Sequence, residues 1–366
     1  MSGLENTEED YSEMTTTRVI FALFLMVLLI ILGLFGLVRP KPATISPPPK
    51  TIYEHIVVSV PGPHNLSYLP IDLIPVIGAD KTEAVHLQIL HTGGGAVAMN
   101  NMIKHDADFA VAGVPAAMSL RSNGGDVVVI APVDDAPLFV LMVRKDLQDQ
   151  VKRIADLKGK VIGVNTSTKA SKTTSQQLAE LLLHSDGVAM DAVRIVPAGQ
   201  SWIEQSSLIL SGQVDAILGD EPFASRLLAD HQVFFLAHLA QPETVPGIPG
   251  TRFLHAALET RSDIIEKAPA EVEKMVRMLK QSLVWITHHT PEQVADALGI
   301  TAPEERNALV LSLQKYPQAF SREGVFSTKQ LKETEVFFHA GIDPDSPGQS
   351  LHIEQMVNDR WAGRVE

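Results

Sequence analysis

Five hydroxyl side chains crowd one short stretch of the chain: Thr166, Ser167, Thr168, Ser171 and Thr173, with Lys169 and Lys172 among them. They follow Lys160-Val-Ile-Gly-Val164, which reads as a buried strand, and they precede an apolar-periodic helix over Gln177–Leu183. A polar loop between a strand and a helix start gathers hydroxyls and unpaired backbone N–H groups at one point. Such a point holds an anion or a small polar ligand without any catalytic group. One or two of the hydroxyls must cap the helix, which leaves the others free to face a ligand. The two lysines could neutralise an anion there, or simply remain solvated.

Further along, Leu210 to Ala224 gives a helix end, a second strand and an acidic turn into another helix. Asp220 and Glu221 stand where that strand meets the helix. They are either carboxylates favoured by the helix macrodipole or partners for a ligand's amine or hydroxyl. Gly93, Gly94 and Gly95 precede a helix too. They lack the spacing of a dinucleotide loop, so they make a tight turn, let backbone N–H groups approach an anionic head group, or do both. Trp202 follows Ala198-Gly-Gln-Ser201, where an indole could stack on a ligand or fill core.

Other chemistries find no support. His288-His289 has no second pair of ligands at metal spacing, and Asp343-Pro-Asp345 is too short for a calcium loop. The chain has no cysteine nucleophile and no Gly-x-Ser-x-Gly elbow. No metal and no other cofactor is expected. A formal charge of −13 argues against nucleic acid and anionic lipid as main partners.

The elements that must position these residues alternate. His55–Val60, Val85–Leu90, Asp108–Ala112 and Asp126–Ala131 read as strands, with helices over Leu66–Ile77 and Ala96–Lys104 between them. The alternation returns from Val161 to about Leu236, which predicts a parallel or mostly parallel sheet in each half, with helices on both faces. Val272, Met275, Val276, Leu279, Leu283 and Ile286 then mark an apolar helical stripe, and Thr290-Pro-Glu-Gln293 is a capping box. A run of helices over 265–340 is expected to pack on the first lobe.

The N-terminus carries its own signal. Val19 to Val38 contains no charged or polar side chain, and twenty helical residues span about 30 Å, the thickness of a bilayer's hydrocarbon core. The preceding segment is acidic, and Val38-Arg39-Pro40-Lys41-Pro42 offers no small-x-small cleavage site, so a retained transmembrane helix is expected rather than a cleaved signal. Basic residues at its ends mildly favour the large C-terminal part inside the cell. The expected organisation is a tail over 1–18, the span over 19–38, a Pro-rich linker over 39–50, lobe 1 over 51–143, lobe 2 over 144–250, a return to lobe 1 with the C-terminal helices over 251–340, and a tail over 341–366.

The order of Thr92-Gly-Gly-Gly95, Asp106-Ala-Asp-Phe-Ala110, Asp156-Leu-Lys-Gly-Lys-Val-Ile-Gly-Val164, the Thr/Ser loop and Ser211-Gly-Gln-Val-Asp-Ala-Ile217 resembles the periplasmic substrate-binding proteins of ABC importers, of the nitrate, sulfonate and taurine group. The resemblance covers roughly residues 54–300. It implies the two-lobe periplasmic-binding-protein type II fold, each α/β lobe built on a five-stranded sheet, closing on a small ligand. It also implies no enzymatic activity, an ABC permease as partner, and export across the inner membrane, which outweighs the charge count and puts the binding domain in the periplasm. The family ordinarily has a cleaved signal or a lipid anchor, so the expected single-pass inner-membrane anchor is a departure from it. The loop holding Ser67 and Tyr68 would face the cleft, although Ser67 could equally cap the helix and Tyr68 pack as core. Asp134 and Asp135 precede Pro137–Met142, which would be the outgoing crossing. Acids there favour a cationic or zwitterionic ligand, whereas the Gly and Thr/Ser loops favour an anionic group; a zwitterion or polar heterocycle would satisfy both. Similar enzymes that make the thiamine pyrimidine carry a Cys-rich motif absent here, and similar menaquinone-pathway enzymes are cytosolic. A tethered ligand sensor is the remaining alternative.

Overall fold

The structure is a computed structural model that describes residues 8–37, 53–166, 172–245 and 247–366. Two compact units emerge, residues 1–51 and 52–366. The first contains helix α1 (Glu8–Leu37). Its described side chains run from Arg18 to Leu34 and are exposed. Among the described residues no helix is long and apolar enough to cross a membrane. Val38, the end of the expected span, and the 39–50 linker lie outside the described residues.

In the second unit the chain begins with β1 (Glu54–Val60), α2 (Leu69–Val76), α3 (Ala79–Thr82), β2 (Val85–His91), α4 (Gly95–Ile103), β3 (Phe109–Gly113), α5 (Val114–Ser122) and β4 (Val128–Pro132). It crosses to a second sheet with β5 (Val140–Arg144), β6 (Val161–Val164), α6 (Thr174–Ser185), β7 (Arg194–Pro197), α7 (Trp202–Leu210), β8 (Ala216–Gly219), α8 (Phe223–Ala229) and β9 (Val233–His238). It then returns with β10 (Ala256–Thr260), α9 (Ser262–Lys267), α10 (Pro269–Thr287), α11 (Pro291–Ala297), α12 (Pro303–Lys315), β11 (Phe326–Ser327), α13 (Thr328–Ala340) and β12 (Arg364–Val365).

The sheets have the orders β2-β1-β3-β10-β4 and β7-β6-β8-β5-β9. Each is mixed rather than parallel throughout. β1 runs parallel to β2 and β3, but β10 is antiparallel to β3 and β4. In the second sheet β6 is parallel to β7 and β8, whereas β5 is antiparallel to β8 and β9. The reversed strand is in each case the one that has just arrived from the other lobe. A chain entering at the carboxyl edge of parallel strands must run backwards through them, so the crossings impose the exception.

The period of two is visible in β5. Leu141 and Val143 face one core with Ile162, Val164, Ala216 and Leu218, while Val140 and Met142 face another with Ile217 and Ala198. Both faces are therefore buried, as a helix-covered sheet requires. The α10 stripe, Val272, Met275, Val276, Leu279 and Leu283, belongs to the first lobe's core. Residues beyond 341 pack there too: the Val129 N–H donates to the Met356 carbonyl at 2.7 Å, and Ile353 and Met356 are buried.

Candidate functional site

The carboxyl ends of the parallel strands in the two lobes face one another. Tyr68, Gly95, Gly113 and Ala116 come from the first lobe; Asn165, Thr173, Thr174, Ser175, Gln200 and Asp220 come from the second. Phe139 and His255, at the starts of the two crossing strands, complete the wall. Together they enclose a cavity of about 20 Å³, room for a single water-sized body, so the clamp is shut. Roomier hollows exist, such as one of about 390 Å³ lined by Asp135, Arg252 and Lys329, but those charged side chains are exposed. The small cavity is the one where buried polar chemistry converges.

Local structure explains each position. Thr173 caps α6, accepting from the Gln176 N–H at 3.2 Å, and its hydroxyl lies 3.1 Å from that of Ser175. Thr174 follows at the first helical position with its Oγ1 buried and unpartnered. Gln200 donates from Nε2 to the Asn165 carbonyl at 2.7 Å, which aims its Oε1 at the cavity with no partner. Both amide atoms of Asn165 are likewise unpartnered. Asn65 Oδ1 accepts from the Ser67 N–H at 3.0 Å, and its Nδ2 donates to Asp220 Oδ2 at 2.6 Å across the cleft. Asp220 Oδ1 is left without a partner.

The electrostatics are acidic. Burial pushes the Asp220 carboxyl up to about 7, against the Asn65 hydrogen bond and the nearby Asn165 amide, which pull it down, with Glu221 adding to the rise. Asp134 is raised well above the carboxylate range by burial, although the His255 N–H bonds its Oδ1 at 3.1 Å. Burial also raises Tyr68, reinforced by Asp220, Asp134 and Glu259. His255 is pushed down to about 3 by burial and is neutral, with Nδ1 unpartnered and Nε2 3.5 Å from the Tyr68 hydroxyl. Among the described residues no lysine or arginine lines the cavity.

Of the residues singled out from sequence, Tyr68, Gly95, Thr173 and Asp220 line this cavity. Asp134 is buried beside His255. Thr166 is buried two residues past the end of β6, while Ser167, Thr168 and Ser171 lie outside the described residues. Gly93 and Gly94 form the turn before α4 and do not line it. Ser67 is buried, but Asn65 provides the cap that Ser67 was one candidate for, because the helical segment starts at Leu66, two residues before the start a Ser67 cap would give. Trp202 does not line the cavity; the Arg226 guanidinium sits 3.8 Å over its ring. Glu221 Oε2 accepts from the Ser225 N–H and the Ser312 hydroxyl, and its Oε1 from the Ser225 hydroxyl, a structural bracket between α8 and α12. The sequence reading passed over Asn65, Phe139, Asn165, Thr174, Ser175, Gln200 and His255. Their shared signal is position at a strand or helix end, where doubly wound sheets bind ligands.

This fold is the two-lobe periplasmic-binding-protein architecture, with two mixed sheets flanked by helices. The chain belongs to the NMT1/THI5-like family, whose model matches residues 81–293. Among solved structures it is similar to a Bordetella bronchiseptica protein (19% identity, TM-score 0.75, covering 84% of this chain and 95% of that one). It is also similar to the alkanesulfonate-binding protein SsuA of Xanthomonas axonopodis pv. citri bound to MOPS (15%, 0.64, 86% and 99%). The periplasmic nitrate-binding protein NrtA of Synechocystis PCC 6803 is a third (10%, 0.64, 84% and 86%). No curated protein matches the chain in sequence.

Proposed function

We propose that the protein is a membrane-anchored solute-binding protein that captures a small polar or anionic organic ligand between its lobes for an ABC importer, and that it is not an enzyme. One observation carries the reading. Asn165 Nδ2 and Oδ1, Thr174 Oγ1, Gln200 Oε1, Asp220 Oδ1 and His255 Nδ1 are buried, unpartnered and gathered on one interlobe cavity. An unsatisfied buried polar group costs about 1–3 kcal/mol, a cost that a bound ligand would remove. The structures similar in fold include a sulfonate-binding and a nitrate-binding protein, which supports the ligand class.

The uncharged run Val19–Val38 supports a retained anchor, with the binding domain on the periplasmic side. We keep Ser67, Gly93, Gly94, Asp134 and Thr166, together with Ser167, Thr168 and Ser171 outside the described residues, as candidate ligand contacts. We place the crossings between the lobes at 133–139 and 239–255, between the strands of the two sheets, so lobe 2 begins with β5 (Val140–Arg144) rather than at the expected residue 144.

A thermal-shift screen of the full chain in detergent tests this reading. Sulfonates, nitrate, amino acids and aromatic acids make up the panel. Ligand at 100 times its dissociation constant adds about 2.7 kcal/mol, a plain rise in melting temperature. A flat panel on well-folded protein would defeat the solute-binding reading and favour a tethered interaction role.

A further inference from the structure

The cavity's free atoms are unequal in kind. Gln200 Oε1 can only accept, because its Nε2 is committed to the Asn165 carbonyl. Asn65 is likewise fixed: its oxygen takes the Ser67 N–H, so its nitrogen must be the group facing Asp220. That leaves Asp220 Oδ1 open to the cavity as a carboxyl oxygen, with Asn165 Oδ1 a further acceptor and Asn165 Nδ2, among the described residues, the one unpartnered side-chain group there that can only donate. All three residues are more than nine-tenths buried. The rest of the lining is different. Gly95 begins α4, and Thr174 and Ser175 begin α6, so the cavity also meets the positive ends of two helices.

We infer that the ligand carries a protonated nitrogen, docked on Asp220 with the Gln200 and Asn165 side-chain oxygens around it, while its anionic or polar end meets the starts of α4 and α6. This rests on the solute-binding reading and narrows it. A plain inorganic anion fits poorly, since its lone pairs would oppose those of Asp220 and Gln200, and among the described residues no lysine or arginine lines the cavity. An ammonium brings three donors to that cluster, and its charge would draw the Asp220 proton off. Aliphatic amines and amidines carry this chemistry in common.

Calorimetric titration of the full chain at pH 8 tests the inference with probe pairs that differ in the amino group alone. These are taurine against ethanesulfonate and β-alanine against propionate, with nitrate as the inorganic anion. The amine-bearing member is expected to bind at least about tenfold tighter, and D220N should bring each pair within about threefold. The amine preference of the unaltered protein should also shrink as pH falls through about 7, the value to which burial pushes Asp220, which keeps the test open if D220N folds poorly. Equal binding within the pairs, or nitrate as the tightest probe, would overturn the inference and leave solute binding standing. Silence from every probe would overturn both.

Discussion

Asn65 Nδ2 lies 2.6 Å from Asp220 Oδ2, a hydrogen bond that joins the loop after β1 to the turn after β8 and so ties one lobe to the other. The Leu66 N–H donates to the Glu221 carbonyl at 3.0 Å beside it, making a short two-bond latch. Removing the side-chain half should weaken closure by about 1–2 kcal/mol, a fivefold to thirtyfold shift. N65A is therefore expected to bind its ligand about tenfold more weakly and to show a larger radius of gyration by solution scattering. An unchanged radius would mean that closure rests on other contacts.

Gly113 offers a steric test of the same closure. It ends β3 in the first lobe, and a Cβ there would lie 2.1 Å from Thr174 Oγ1 and 3.2 Å from a His255 ring carbon. Its φ of −74° suits any L-residue, so alanine is compatible with the backbone. G113A should fold normally by circular dichroism yet hold the clamp ajar and lose ligand affinity. Full affinity in G113A would show that α6 can retreat without cost.

Two buried groups pull stability in opposite directions with pH. Asp220 titrates near 7 in the fold, above its ordinary 3.8, so the stability tied to its neutral form is complete below about 3.8 and lost as pH rises to 7. At about 1.4 kcal/mol per unit this is at most about 4 kcal/mol, and D220N should remove the slope and raise the melting temperature at pH 8.

His255 has the other sign. Its folded value of about 3 lies below the ordinary 6.5, so its contribution is intact above 6.5 and lost as pH falls toward 3. Denaturant titrations of H255Q should show a shallower loss between pH 6.5 and 4 than the unaltered protein. A parallel loss in both would assign acid sensitivity elsewhere, His238 being the next candidate since burial pushes it down to about 4.

Trp202 packs under Arg226 rather than on the cavity. W202A should cost roughly 0.5–1 kcal/mol of stability and leave ligand affinity within about twofold. A large loss of affinity would bring the α7 start into the site.

The alternation of strands and helices was legible because buried strands such as Val85–Leu90 and helices such as Val272–Leu283 carry distinct periods. The direction of β10 was not, since Ala256-Ala-Leu-Glu-Thr260 reads alike either way; only the path of entry reverses it. The site was partly legible for a related reason. A run of Thr and Ser beside a helix start announces itself locally, whereas Asn165, Gln200 and His255 are separated in sequence and become a set only where strand ends from two sheets meet. The Ser67 expectation failed to choose between cap and contact because a cap depends on where the helix begins, and Asn65 sat two residues upstream.

The returning strand has a consequence for how the protein is made. β4 hydrogen-bonds within its sheet through β10 alone, and β10 ends at Thr260. The second sheet, by contrast, is drawn wholly from residues 140–238. During synthesis the later lobe can therefore assemble as one contiguous block, while the earlier one waits, its last strand stranded, until some 130 further residues have emerged at about 5–20 residues per second. The lobe that begins the domain is the one that finishes last.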